Sequence, residues 1–200
     1  MSDEGLFRSY SEVIQKVGSD ALRIYLYHIP AVSLISIGAE LIERLLNVYP
    51  TTIAGIKDSS GDWRYARELL GRFQPREFDI FAGNENFLLN TMRAGGAGCI
   101  TATGNVNPAA IVDLYRNWEC PDADKKQGSK KQGSLDATRA RFSQFPMIPA
   151  LKAAIGLYSD DQSWRIVRPP LVGLTIEQAD ALRVSFVRLG IFHAQHLRCS

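Results

Sequence analysis

The feature that most constrains this chain is a change of hydrophobic period that repeats along its first half. Short apolar runs rich in β-branched and aromatic residues alternate with stretches whose apolar residues recur at helical spacing. "ALRIYLYHIP", "TIAGIKDSS", "EFDIFAGNE" and "AGCITATGN" read as strands ending near residues 28, 58, 83 and 103. "GAELIERLLNVYP", "DWRYARELLGRF", "ENFLLNTMRAGG" and "NPAAIVDLYRNW" read as the helices that alternate with them, and an amphipathic helix over Glu4–Val17, closed by Gly18, comes first. Strand and helix alternating every ~20–30 residues predict βα units around a parallel sheet. No hairpin signal competes with that reading. The strands are nearly continuous apolar runs, which predicts a sheet covered on both faces.

After Trp118 the character changes. "CPDADKKQGSKKQGS" is polar and holds the pentapeptide KKQGS twice, from Lys125 to Ser134, which predicts a solvated loop insertion over 119–134. A helical region is expected over 135–200, interrupted at Pro146 and Pro149, with a capping box at Thr175 and Gln178.

Composition removes several function classes. Two hundred residues, 46% apolar and 22% charged, suit a globular protein with a real core. A net charge of +2 is too small to argue for nucleic acid or an anionic membrane surface. No apolar run is long enough to span a bilayer, and "MSDEGLFRSY" lacks the pattern of a signal peptide. Cys99, Cys120 and Cys199, odd in number and widely spaced, fit a reducing compartment rather than a metal site. His193 and His196 read as tail residues rather than ligands. The expectation is a cytoplasmic protein.

Functional groups of parallel α/β sheets collect at the carboxyl ends of the strands, where the βα loops open. Those ends carry Tyr27 and His28, Lys57 and Asp58, Gly83 to Glu85, and Thr101 to Asn105. A lysine at the end of an apolar strand loses solvation as an ammonium, which suits it to amine nucleophilic attack on a carbonyl. A phenol at the neighbouring strand end could move the protons that such chemistry requires. The alternative for Lys57 is a side chain that snorkels to water, and on the residues alone both readings stay open. His28 and Asp58 to Ser60 are expected to be structural, organising the strand end and its loop.

"YHIP" at Tyr27–Pro30, "GIKDSSGD" at Gly55–Asp62, "FAGNE" at Phe81–Glu85 and "GGAGCITATGNVNP" at Gly95–Pro108 resemble, in order and spacing, the dihydrodipicolinate synthase/N-acetylneuraminate lyase family. "IPALK" and "RPPL" in the tail are similar to the same family. The resemblance implies a (β/α)8 TIM barrel, an α/β fold, of which this chain carries strands 5–8 in a partial barrel over 1–118, followed by a C-terminal helical domain. It implies class I aldolase chemistry, a carbon–carbon lyase reaction that needs no cofactor. Pyruvate or a related 2-oxo acid would form a Schiff base with Lys57, and Tyr27 would relay protons. Gly83, Glu85 and Ile100 would line the substrate side.

The same comparison brings out differences. The family's carboxylate-binding Thr-Thr pair precedes the region matched here, and Thr51–Thr52 sits at the wrong end of the lysine strand to replace it. Val32 stands where dihydrodipicolinate synthases carry an arginine, and Leu34 where a glycine is usual. Asn86 and Ala102 stand where neuraminate lyases have a carboxylate and a serine. A half barrel would expose strand edges and an apolar face. The expected partners are therefore a second copy of the chain or a complementary N-terminal-half chain. A catalytically impaired homologue that serves as a half-barrel subunit or partner-binding protein is the alternative to a working lyase.

Overall fold

A computed structural model describes residues 2–119 and 125–190; Cys120, Cys199, His193 and His196 lie outside the described residues. The chain divides into two compact units, Met1–Ile100 and Thr101–Ser200.

The first unit is a four-stranded parallel sheet with helices on one side. It opens with α1 (Asp3–Val17), whose first turn is capped by the Ser2 hydroxyl accepting from Gly5 N at 3.2 Å and whose end is turned by Gly18 at φ 58°. Leu6, Phe7, Tyr10 and Ile14 of α1 pack on the core, while Val13 and Val17 stay exposed. Strands β1 (Ile24–His28), β2 (Ile53–Asp58), β3 (Asp79–Ala82) and β4 (Gly98–Cys99) follow in spatial order 1-2-3-4. Between them run α2 (Pro30–Ser33), α3 (Ala39–Val48), α4 (Trp63–Phe73) and α5 (Leu88–Arg93). Each helix has a local cause. Pro30 supplies the fixed φ of a first turn, and the Asp62 carboxylate caps α4 by accepting from Arg64 N at 2.9 Å. The apolar stripe of α3, Leu41, Ile42, Leu45 and Leu46, is buried.

Leu26, Ile56 and Ile80, at the same level in three neighbouring strands, meet Ile42, Leu45, Leu69 and Phe73 from α3 and α4. Each such side chain contributes about 1.5–3 kcal/mol by burial. The other face of the sheet behaves differently from expectation. Tyr25 and Tyr27 are 47% and 49% exposed on either side of fully buried Leu26. The strands are therefore covered by helices on one face only within this unit. A continuous apolar run does not distinguish the two cases, because tyrosine and phenylalanine serve on a half-open face as readily as in a core.

β4 is also shorter than "AGCITATGN" predicts. Ile100 N still bonds to Ala82 O at 2.9 Å, but β3 ends at Ala82 and offers no further partner, so Ala102–Asn105 tighten into a 3-10 turn.

The second unit is helical among its described residues: α6 (Pro108–Arg116), α7 (Lys125–Phe142), α8 (Met147–Ser159) and α9 (Ile176–Arg188). The expected loop over 119–134 is corrected from Lys125 onward, where the repeat forms the first half of α7. Lysine and glutamine favour helix, and the glycines that oppose it, at about 1 kcal/mol each, are offset by tertiary anchoring. Gly128 is buried, and Lys131 Nζ lies 2.9 Å from Asp113 of α6. Further along, Leu135, Thr138 and Phe142 form one buried stripe. Phe142 and Phe186 meet at 5.0 Å between ring centroids in a core completed by Ala150, Ala154 and Leu182. Pro149 does not interrupt α8, because it sits in the first turn, where no intrahelical N–H is lost. The capping box of α9 forms, with Gln178 N donating to Thr175 Oγ1 at 3.2 Å and Thr175 N to Gln178 Oε1 at 3.0 Å. Among the described residues no helix is long and apolar enough to cross a membrane.

Candidate functional site

Parallel register places Tyr27, Lys57 and Phe81 side by side on three neighbouring strands. Successive strand residues point to opposite faces, so these three share the half-open face while His28, Asp58 and Ala82, one residue on, turn under the helices. Lys57 is half-buried. Its Nζ donates to the Tyr27 hydroxyl at 3.1 Å and lies 4.2 Å from the centre of the Tyr27 ring. Two residues from different βα units, 30 apart in sequence, are thus brought into direct contact.

Their contact changes the phenol. Partial burial alone would push Tyr27 up, but hydrogen bonds from Lys57 and Ser59 and the Lys57 charge outweigh it and bring the phenol below its ordinary value. Ser59 is a residue that sequence reasoning assigned to loop structure only. It reaches Tyr27 because Gly83 has no side chain: a Cβ at Gly83 would collide with the Ser59 hydroxyl and lie 2.5 Å from Asp58 O.

One level nearer the strands' amino ends, Tyr25 donates to Asp79 Oδ2 at 2.7 Å and packs its ring edge-on to Phe81 at 5.9 Å. Gly55, the register partner of both Tyr25 and Asp79, leaves the room this pair fills. The hydrogen bond to Asp79 holds the Tyr25 proton and raises that phenol. Tyr25 could have been placed on this face by counting two residues back from Tyr27. Asp79 needed the register, which sequence does not supply.

Three other expected residues fall differently. Gly83 N already donates to Asp58 O at 2.6 Å and Ile100 N to Ala82 O at 2.9 Å, so both amides are engaged in the sheet rather than offered to a ligand. Ile100 presents its side chain, 46% exposed. Glu85 is 1% exposed, in the 3-10 turn Glu85–Phe87, and its charge is felt by Cys99, a half-buried thiol paired with Ala82 on the helix-covered side. Glu85 is therefore a buried acid, not part of the open surface around Lys57. Val32 and Leu34 are exposed, Leu34 in the left-handed region at φ 57°. Among the described residues no cluster of three His, Cys, Asp or Glu side chains could hold a metal ion.

The chain as a whole has relatives among known proteins. Residues 1–187 match the dihydrodipicolinate synthetase family. The chain belongs to that family. It is 30% identical over 94% of its length to an uncharacterized DapA-like lyase of Chloroflexus aurantiacus, and 29% identical over 94% of its length to a 4-hydroxy-tetrahydrodipicolinate synthase of Methanopyrus kandleri. In both cases it covers 60% of the relative. Among solved structures it superposes on dihydrodipicolinate synthase from Agrobacterium tumefaciens with a TM-score of 0.81 at 30% identity, covering 94% of this chain and 61% of that one. YagE, a prophage protein of the same family from E. coli K12 solved in complex with pyruvate, gives a TM-score of 0.84 at 25% identity, covering 96% and 63%. The family member described here thus spans about three-fifths of the length of these relatives. In fold it is an α/β chain with a four-stranded parallel sheet.

Proposed function

We propose that this chain carries the Schiff-base-forming half of a dihydrodipicolinate synthase-type lyase, with Lys57 condensing with pyruvate or a related 2-oxo acid. Its four strands correspond in this reading to strands 5–8 of a (β/α)8 barrel. The observation that carries the proposal is the 3.1 Å contact between Lys57 Nζ and the Tyr27 hydroxyl. Family membership and a relative solved with pyruvate support it.

The chemistry follows from that contact. Lys57 must lose a proton to become a nucleophile, and Tyr27, when ionised to the phenolate, is placed to accept it. The neutral amine adds to the ketone carbon of the 2-oxo acid, the carbonyl π pair moves onto oxygen, and a proton passes from the new ammonium nitrogen to that oxygen to give a carbinolamine. Tyr27 returns the proton as that hydroxyl leaves as water, giving an iminium ion. Loss of a C3 proton to the phenolate yields the enamine, which bonds through C3 to an aldehyde in synthesis. In the lyase direction, cleavage of that carbon–carbon bond regenerates the enamine. Tyr27 then protonates the enamine at C3, and in either direction hydrolysis of the iminium ion frees Lys57. Each transfer uses one oxygen, so a phenol brought below its ordinary value suits both roles better than an unperturbed one.

Exchange of the pyruvate methyl protons in D2O, followed by proton NMR, tests this pair. Lys57→Ala is expected to abolish exchange and Tyr27→Phe to slow it by ~10²–10⁴-fold. Exchange at the wild-type rate in Lys57→Ala would refute the reading.

A second reading rests on a separate observation. The face that carries Lys57 also exposes Tyr25, Tyr27 and Ile100 by nearly half their surface each, an aromatic patch of the kind that drives association. In this reading the chain is a half-barrel subunit that pairs with a second copy or a complementary chain, and its own activity is impaired.

A further inference from the structure

Behind the Lys57–Tyr27 pair, on the helix-covered side of the same two strands, lies a second pair that the proposed reaction does not touch. His28 and Asp58 directly follow Tyr27 and Lys57 and are themselves register partners. Their side chains are 4% and 5% exposed, with Nδ1 and Oδ1 2.9 Å apart. A carboxylate only accepts, so Nδ1 is the donor. Nε2 is buried and finds no hydrogen-bond partner among the described residues, and the ring lies 4.4 Å from that of Tyr65 between centroids. An apolar side chain of similar size would avoid the desolvation cost of that nitrogen. Core filling is therefore a poor account of His28.

What the pair holds is specific. Asp58 Oδ1 accepts from Ser60 N at 2.9 Å and Oδ2 from Ser60 Oγ at 3.1 Å, while Ser60 Oγ accepts from Asp62 N at 3.1 Å. Asp58 O accepts from Gly83 N at 2.6 Å, and Ser59 N donates to His28 O at 2.7 Å. Ser59, whose hydroxyl helps to lower the Tyr27 phenol, is thus held through its own amide by the His28 carbonyl and through the next residue, Ser60, by the Asp58 carboxylate.

We propose that the buried His28–Asp58 pair is a positioning device for the Lys57–Tyr27 pair. It locks the ends of β1 and β2 in register and fixes the loop that carries Ser59 onto the Tyr27 hydroxyl. His28 and Asp58 act through Tyr27 and touch no substrate. Only the catalytic consequence rests on the Schiff-base reading; the effect on Tyr27 does not.

The test uses the full chain with tyrosine labelled at the ring ζ carbon, and Tyr27→Phe to assign the Tyr27 resonance. His28→Leu fills the space without the hydrogen bond, while His28→Asn keeps a donor near Nδ1. His28→Leu is expected to move the Tyr27 titration upward and to slow borohydride trapping of pyruvate on Lys57 by about 10²-fold. His28→Asn is expected to restore both. Asp58→Asn, close to isosteric, is expected to behave as His28→Leu does and carries the test if the leucine variant does not fold. An unmoved Tyr27 titration in His28→Leu or Asp58→Asn would overturn the proposal, as would a leucine variant that outperforms the asparagine one. A wild-type chain that traps no pyruvate, but whose Tyr27 still responds to His28→Leu, would remove the Schiff-base reading and leave the positioning role standing.

Discussion

Lys57 and Tyr27 are in direct contact, and the amine lowers the phenol; in the proposed reaction the ionised phenol would receive the proton that the amine must give up. The titratable groups around them divide by sheet face. Tyr65, under the helices, is pushed up by burial and then by the charges of Asp58 and Glu68, and it donates to Ile37 O at 2.5 Å. It stays a phenol throughout the working pH range. Cys99 follows the same rule. Burial, and then the nearby Glu85 charge, push its thiol up to about 12. The sign is direct: a raised thiol is protonated at neutral pH, and the thiolate is the reactive form. At pH 8, alkylation at Cys99, read by peptide mass spectrometry, should be on the order of 10³-fold slower than that of a free cysteine. Alkylation of Cys99 at the rate of a free cysteine would contradict this burial.

At the scale of elements, β2 and β3 approach closely where Gly83 follows β3, and that approach seats Ser59 against Tyr27. Gly83→Ala should therefore cost about 1–3 kcal/mol in denaturant unfolding, and it should raise the Tyr27 titration as Ser59 is displaced. A variant with unchanged stability and unchanged Tyr27 would mean that the close approach has no role. The helices and the first three strands were legible in sequence because period, caps and breakers are local: Gly18 and the Thr175–Gln178 box act within four residues of themselves. What was not legible depends on partners far along the chain. The shortness of β4 is set by where β3 ends. The helix over Lys125–Ser134 leans on Asp113, which the run "KKQGSKKQGS" does not reveal. Lys57 and Tyr27 could be named from their strand ends, whereas Ser59 and Asp79 join the site only through register and a missing Cβ. Glu85 looked available in sequence, but it folds inward.

For the molecule as a whole, the sheet exposes one face and two edges within the first unit. Among the described residues β1 and β4 are the outer strands, and their unpaired sides present backbone donors and acceptors. If the half-barrel reading holds, sedimentation velocity should show association that rises with concentration, and Lys57→Ala should leave it intact. A strictly monomeric chain at all concentrations would remove that reading. The central proposal is that Lys57 forms the covalent intermediate. Borohydride reduction in the presence of pyruvate, followed by peptide mass spectrometry, tests it most directly. The account predicts a reduced pyruvyl adduct on the peptide bearing Lys57, absent in Lys57→Ala. A folded chain that yields no adduct, or one that is labelled equally at its other lysines, would contradict it.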